Sequence, residues 1–344
     1  MDRTNGKLDR RQFCMLGLGL LTTVGCDETK TEASTKAKDK PKPRIAMIPK
    51  GTTHEFWKSV HAGAVKAEKE FDVEVVWKGP LKEDDLKSQI DLVQSFTAQR
   101  VSGIALAPLN DKALVSAVRG AKRAGVPVVI FDSALASSDY VSFVATDNRL
   151  AGQAAGKYLG EVLGGKGAVA VLRYQEGSAS TREREEGFLE AIRKVSGIEV
   201  VSDNQYGGAT TESAHAASEN LLLAQGAAQG KLNGVFAPNE STTFGMLLAL
   251  RKAGLAGKLS FVGFDASDKL VDGVKSGHID ALVLQDPFRM GYLAIQAMVH
   301  HIRGAKVESR TDTGSTLVTR KNMNDPKVRA LLKPDLEKWL GEEG

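Results

Sequence analysis

Two aspartates close apolar runs in nearly the same way: Asp132 in "VVIFDSA" (residues 128–134) and Asp265 in "FVGFDAS" (residues 261–267). An aspartate at a strand's end either bonds the amides of the next turn or offers its carboxylate to a ligand beyond the strand. Its recurrence, once in each half of the chain, points to one site shared by two similar halves. Other chemistry-bearing residues fall at corresponding points. "HEFW" (54–57) follows the first apolar run with His54, Phe56 and Trp57, "STRERE" (180–185) carries Arg182, and Asn239 and Gln285 end two further runs. Carboxylate acceptors, guanidinium donors and aromatic faces are binding equipment.

Reaction chemistry has no matching signature. There is no G-x-S-x-G elbow and no P-loop, and "GGKG" (164–167) precedes a strand, the wrong order for a dinucleotide fingerprint. His300 and His301 are adjacent and so cannot share a helical face, which argues against a metal there. The two cysteines, Cys14 and Cys26, both precede the folded part, which therefore has neither a disulfide nor a thiolate site. Formal net charge is +4, with four basic against two acidic residues in the first 25. That balance excludes an electrostatic case for nucleic acid. No catalytic residue, cofactor or metal is expected.

The elements that must position these residues alternate. Apolar runs of strand length at 44–49, 73–77, 103–108 and 126–132 are separated by helical patterns at 54–70, 84–100 and 113–125. After residues 140–148 the scheme restarts, with strands at 168–174, 198–203, 234–239, 259–265 and 279–285 and helices at 181–195, 211–225, 242–253 and 268–276. Continuous Val/Ile/Ala runs mark strands buried on both faces. Two doubly wound parallel α/β lobes follow, with ligands beyond the carboxyl ends of the strands.

The first 26 residues read as an export signal. "DRRQF" (9–13) precedes an apolar run at 14–24, too short for a membrane span, and "TVGC" resembles a lipobox that would lipidate Cys26. Arg10-Arg11 with Phe13 resembles the core of a twin-arginine signal, an ordinary signal being the alternative. Residues 27–43 lack large apolar side chains and read as a flexible tether.

Taken in order, "HEFWKSVHAGA", "VPVVIFDS", "VATDN", "STREREEGF", "VFAPNESTTFGMLLAL", "VGFDAS" and "LVLQDP" resemble periplasmic sugar-binding proteins of the ribose-binding type, whose fold is shared by the ligand domains of lac-repressor-like regulators. The resemblance spans residues 43–320. It implies an amino-terminal lobe of 44–146 plus 286–311, a carboxy-terminal lobe of 147–285 plus 312–322, hinge crossings near 146–147, 286 and 311–314, and a helical tail at 323–344. It implies that Phe56 and Trp57 cover the faces of a pyranose and that Asp132 and Asp265 accept from its hydroxyls. Arg182 donates to hydroxyls with Arg184 as a structural neighbour, and Asn239 and Gln285 complete the set. His54 and Ser133 replace an asparagine and an arginine of the ribose binder, and the second-lobe aromatic is missing around "QYGGATT" (205–211), which points to another small sugar or polyol.

The expectation is therefore an exported, lipid-anchored, monomeric solute-binding protein on the periplasmic side of the membrane. It would deliver a small sugar or polyol to the membrane permease of an ABC importer. The alternatives are a sugar receptor feeding a sensor kinase or chemoreceptor, and a two-lobed sugar-modifying enzyme. Both aspartates are expected to face solvent in the ligand-free protein, and Glu240 to cap the helix it begins.

Overall fold

A computed structural model describes residues 41–341, so the export segment, Cys26 and the tether up to residue 40 lie outside the described residues. The first lobe begins with β1 (Arg44–Ile48), α1 (Glu55–Phe71), β2 (Glu74–Trp77), α2 (Leu86–Ala98), β3 (Gly103–Leu106), α3 (Val115–Arg123), β4 (Val128–Phe131) and β5 (Ser142–Ala145). The chain then crosses to build α4 (Asn148–Val162), β6 (Lys166–Arg173), α5 (Ala179–Ile192), β7 (Gly197–Tyr206), α6 (Thr211–Ala224), β8 (Gly234–Phe236), α7 (Glu240–Lys252), β9 (Ser260–Phe264), α8 (Asp268–Lys275) and β10 (Ala281–Gln285). It returns with α9 (Pro287–Ile302) and β11 (Arg310–Asp312), and crosses again into β12 (Ser315–Val318).

Each lobe holds a six-stranded sheet, ordered β11-β5-β4-β3-β1-β2 and β12-β10-β9-β8-β6-β7. All pairings are parallel except β12 on β10. Helices cover both faces, so successive residues of a strand enter different cores. Ile45 and Met47 pack with α1 and α9, while Ala46 and Ile48 pack with α2 and α3. In the second sheet Phe261 faces α7 and α8, and Val262 and Phe264 face α4 and α5. The strands β11 and β12 were not legible as apolar runs, because they are short, polar and half-exposed edges.

The same close helix contact is built twice. A Cβ at Gly63 of α1 would stand 1.9 Å from Phe288 O of α9, and one at Gly152 of α4 would stand 2.0 Å from Arg184 O of α5. Gly291 and Gly187 complete the two contacts from the opposite side, at 2.0 Å from Val60 O and 2.1 Å from Arg149 O. Backbone therefore meets backbone, and Arg184 is placed by a helix that cannot drift.

The crossings run through Thr146-Asp147, Asp286 and Thr313-Gly314. Asp147 and Asp286 cap α4 and α9 by accepting from Leu150 N and Arg289 N. Thr146 Oγ1 donates to Gln285 Oε1 at 2.9 Å and lies 3.3 Å from Thr313 Oγ1, which binds the three crossings into one polar seam.

Beyond β12 the chain forms α10 (Pro326–Leu332), whose Val328 enters the core of the second lobe. It then forms α11 (Glu337–Leu340), which packs on α1 of the first lobe. Trp339 lies 6.1 Å from the ring of Phe288, with Lys69 Nζ over its own ring at 5.4 Å.

Candidate functional site

Between the lobes, at the carboxyl ends of both sheets, lies a narrow cavity of about 30 Å³. Lys50, His54, Phe56, Trp57, Glu83 and Asp132 line it from the first lobe. Tyr174, Ser180, Thr181, Arg184, Asn239, Glu240, Asp265 and Gln285 line it from the second.

The two aspartates reach it by a shared backbone device. Each leaves its strand with positive φ, 60° at Asp132 and 66° at Asp265, a left-handed conformation that Asp tolerates better than most residues. With the lobes in contact neither carboxylate is left to solvent; the expectation that both face water concerns the open form. Asp132 Oδ2 pairs with Lys50 Nζ at 3.0 Å. Asp265 Oδ1 accepts from Gln285 Nε2 at 2.7 Å and Oδ2 from Glu240 N at 3.2 Å. Burial raises the affinity of Asp265 for a proton, and Arg184 and Gln285 offset this only in part.

Phe56 and Trp57 begin α1 directly after His54, the residue at its N-cap. Their rings meet edge to face, centroids 4.8 Å apart, and both line the cavity while packing in the core of the first lobe. The Trp57 indole donates to Glu83 Oε1 at 2.6 Å, and His54 Nδ1 bonds the same oxygen at 2.8 Å. Burial pulls the His54 pKa down, but the bond to Glu83 and the charges of Glu83, Glu240 and Asp265 carry it up to about 9. Burial acts to raise Glu83, and the His54 bond and charge, with Lys50 and Tyr174, bring it down to about 2.

Two sequence expectations are corrected on α5. Arg182 does not line the cavity: it is exposed enough to reach Asp111 Oδ2 of the other lobe at 2.8 Å. Its neighbour Arg184, two residues and about 200° further round the helix, is the arginine that enters the site. Arg184 donates to Asn148 Oδ1 at 2.7 Å and Pro238 O at 3.0 Å and stacks on Phe264 at 4.1 Å. Its Nη2 is buried without a hydrogen-bond partner. Ser133, expected beside the ligand, instead accepts Ser180 N from the other lobe at 3.1 Å.

Asn239 lines the cavity and caps α7 through Thr242 N, so the cap role expected of Glu240 belongs to Asn239. Glu240 reaches across the cleft to Phe56 N at 3.2 Å and Glu55 N at 3.4 Å, placing an acid at the positive end of α1. Burial raises Glu240 to about 7, against the lowering influence of His54. Gln285 is held between Asp265 and Thr146, where it links the site to the crossings.

Sequence reasoning missed Lys50, Glu83 and Tyr174. Lys50, 3% exposed, gives its remaining donors to Ser178 Oγ at 3.3 Å and Ser180 Oγ at 2.9 Å of the second lobe. The available signal was position: "IPKG" places Lys50 just past the end of a strand.

The family model of the periplasmic binding protein domain matches residues 45–306. A D-ribose/D-allose-binding protein of Pseudomonas aeruginosa is 28% identical over 303 residues, 86% of this chain and 93% of that protein. A carbohydrate transporter solute-binding protein of Agrobacterium radiobacter, solved with D-arabinose, superposes with a TM-score of 0.81 at 34% identity, covering 85% of this chain and 99% of that one. An ABC transporter solute-binding protein of Agrobacterium vitis with bound D-fucose gives 0.80 at 34% identity, covering 84% and 100%. With its two six-stranded lobes around a lined cleft, the chain belongs to the periplasmic binding protein domain family.

Proposed function

We propose that this protein captures one small neutral sugar or polyol between its lobes and presents the closed form to the permease of an ABC importer. The observation that carries this reading is the buried, unpartnered Nη2 of Arg184 at a cavity that also holds Asp132 and Asp265. An orphaned buried donor costs about 1–3 kcal/mol, a penalty that a ligand oxygen removes. Charge argues against an anionic ligand: Lys50 faces Asp132, His54 faces Glu83 and Arg184 faces Asp265, and Glu240 adds a fourth acid to the lining. Phe56 and Trp57 supply the apolar surface that the C–H face of a ring requires. The similar proteins solved with D-arabinose and D-fucose support the ligand class.

Capture is the whole of the proposed activity, because a permease needs only the difference between open and closed shapes. Export through the amino-terminal segment and lipid anchoring at Cys26 belong to the same proposal, as does action as a monomer. The test is a thermal-shift screen with D-ribose, D-allose, D-arabinose, D-fucose and xylitol, with glucose 6-phosphate as an anionic control. A bound sugar at 100 times its Kd stabilises by about 2.7 kcal/mol. Silence to every neutral ligand, or a response to the phosphate alone, would sink the reading.

A further inference from the structure

Glu83 stands on the loop between β2 and α2, and its carboxylate, buried at the cleft, collects donors from both lobes. Trp57 Nε1 at 2.6 Å and His54 Nδ1 at 2.8 Å come from its own lobe. The Tyr174 hydroxyl, at 2.5 Å on Oε2, comes from the other. Its backbone carbonyl also takes Gln175 Nε2 of the second lobe at 2.9 Å. Gly51 presses on the loop from behind, since a Cβ there would lie 2.8 Å from Glu83 Cγ. The carboxylate is thus confined to one position.

These contacts divide by lobe. The bonds to Trp57 and His54 lie within one lobe and do not depend on closure. The bond to Tyr174 spans the cleft and exists only when the lobes are shut. Tyr174 is fully buried in the closed form, so its hydroxyl requires an acceptor there. The geometry points to Glu83 as a positioning residue of ligand capture. It fixes the plane of Trp57 against the ligand and receives Tyr174 on closure, so that the aromatic face and the lobe motion are coupled through one carboxylate. This rests on the proposed capture of a sugar and adds to it a residue that need not touch the sugar.

The test uses the tightest binder among D-ribose, D-allose, D-arabinose and D-fucose as the probe, with Tyr174→Phe, Glu83→Gln and the double variant. A lost hydrogen bond to a carboxylate in the closed form predicts that Tyr174→Phe weakens binding by about tenfold or more. Its ligand-free melting temperature should stay at the wild-type value, because the bond is absent from the open form. In the Glu83→Gln background the same change should cost no more than about threefold, the signature of a shared interaction. Glu83→Gln should also reduce the ligand-induced change in tryptophan emission, which Tyr174→Phe should leave in place. Should Glu83→Gln fail to fold, Glu83→Asp replaces it, keeping the charge but drawing the carboxylate one methylene back from Tyr174 and Trp57. Wild-type affinity in Tyr174→Phe, or losses that simply add in the double variant, would overturn the assignment. A wild-type protein silent to all four sugars refutes the ligand class itself, and the assignment falls with it.

Discussion

Asp132 and Asp265 share a left-handed backbone and the same ladder bond, Asp132 N to Val144 O at 3.0 Å and Asp265 N to Val283 O at 2.9 Å, yet their carboxylates are held differently. Asp132 leans on an ammonium, whereas Asp265 is held by an amide and a backbone N–H. All three partners belong to the aspartate's own lobe. Each group therefore supports its lobe as well as the ligand, and the two should respond differently when their charge is removed.

Asp132→Asn keeps a residue that tolerates positive φ but removes the partner of Lys50. Breaking a buried pair from one side costs roughly 3–5 kcal/mol, so the variant should lose stability along with sugar affinity. Lys50→Met in the same chain should return part of the stability. Asp265→Asn should lose affinity with a smaller stability cost, since both of its hydrogen bonds come from uncharged groups and its one charged neighbour, Arg184, stands 3.9 Å away. Urea denaturation beside calorimetric titration supplies both quantities. An Asp132→Asn protein as stable as wild type would show that Lys50 is hydrated in the ligand-free form.

The two arginines of α5 should separate cleanly. Arg184→Lys keeps a charge but lacks the fork that serves Asn148, Pro238 O and the cavity together. It should weaken sugar binding by at least about tenfold, the scale of a lost charge-assisted bond. Arg182→Ala removes a partly exposed cross-lobe pair, which is worth about 0–1 kcal/mol. Equal effects in a titration of both variants would remove Arg184 from the site.

Stability should fall on the alkaline side in two overlapping steps. His54 is raised from 6.5 to about 9, so its contribution is complete below 6.5 and is lost as pH rises through 9. Glu83 is lowered from 4.5 to about 2, so its contribution is complete above 4.5 and is lost as pH falls through 2. Glu185 and Glu240, both raised by burial from 4.5 to about 7, bring a penalty that grows as pH rises between those values. Melting temperature should therefore decline from the carboxylate range up to pH 9. His54→Gln should erase the upper step and leave the lower one, and an upper step that persists in that variant would assign it to another group.

The close helix contact near Arg184 gives a test far from the ligand itself. Gly152→Ala must push α5 away, because its Cβ would overlap Arg184 O and approach Arg184 Cα to 2.9 Å. Overpacking of this kind costs roughly 1–3 kcal/mol, and here it should also lower sugar affinity by moving the guanidinium. Gly120→Ala on α3 meets nothing within 4 Å and should stabilise, by about 0.4–1 kcal/mol. Differential scanning calorimetry on the pair decides, and Gly152→Ala with wild-type affinity would mean that α4 yields instead of α5.

The alternation of buried runs and helical patterns made both lobes legible, because strands covered on two faces must be apolar along their whole length. The repeated Phe-Asp pair was legible for the same reason, since each aspartate interrupts such a run at its end. Lys50 and Glu83 were hidden because a lone charge in a loop resembles any solvated charge. Both are buried where the two lobes meet, a junction that the linear sequence does not display. Arg182 comes from the resemblance; it and Arg184 lie about 200° apart on α5, and the packing of that helix against α4 decides which of them faces the cleft. Residue types alone do not fix that phase.

The tail carries one further consequence. With α10 anchored in one lobe and Trp339 of α11 seated against Phe288 of the other, residues 333–336 form a short tether across one flank of the cleft, beside Phe56 and Asp265. Four residues span at most about 14 Å when fully extended. The lobes can therefore part freely on the far flank but only to the length of this leash on the near one, unless Trp339 lets go. Opening should be lopsided, like a book with a ribbon glued across one corner, and a ligand should enter and leave on the unbound side.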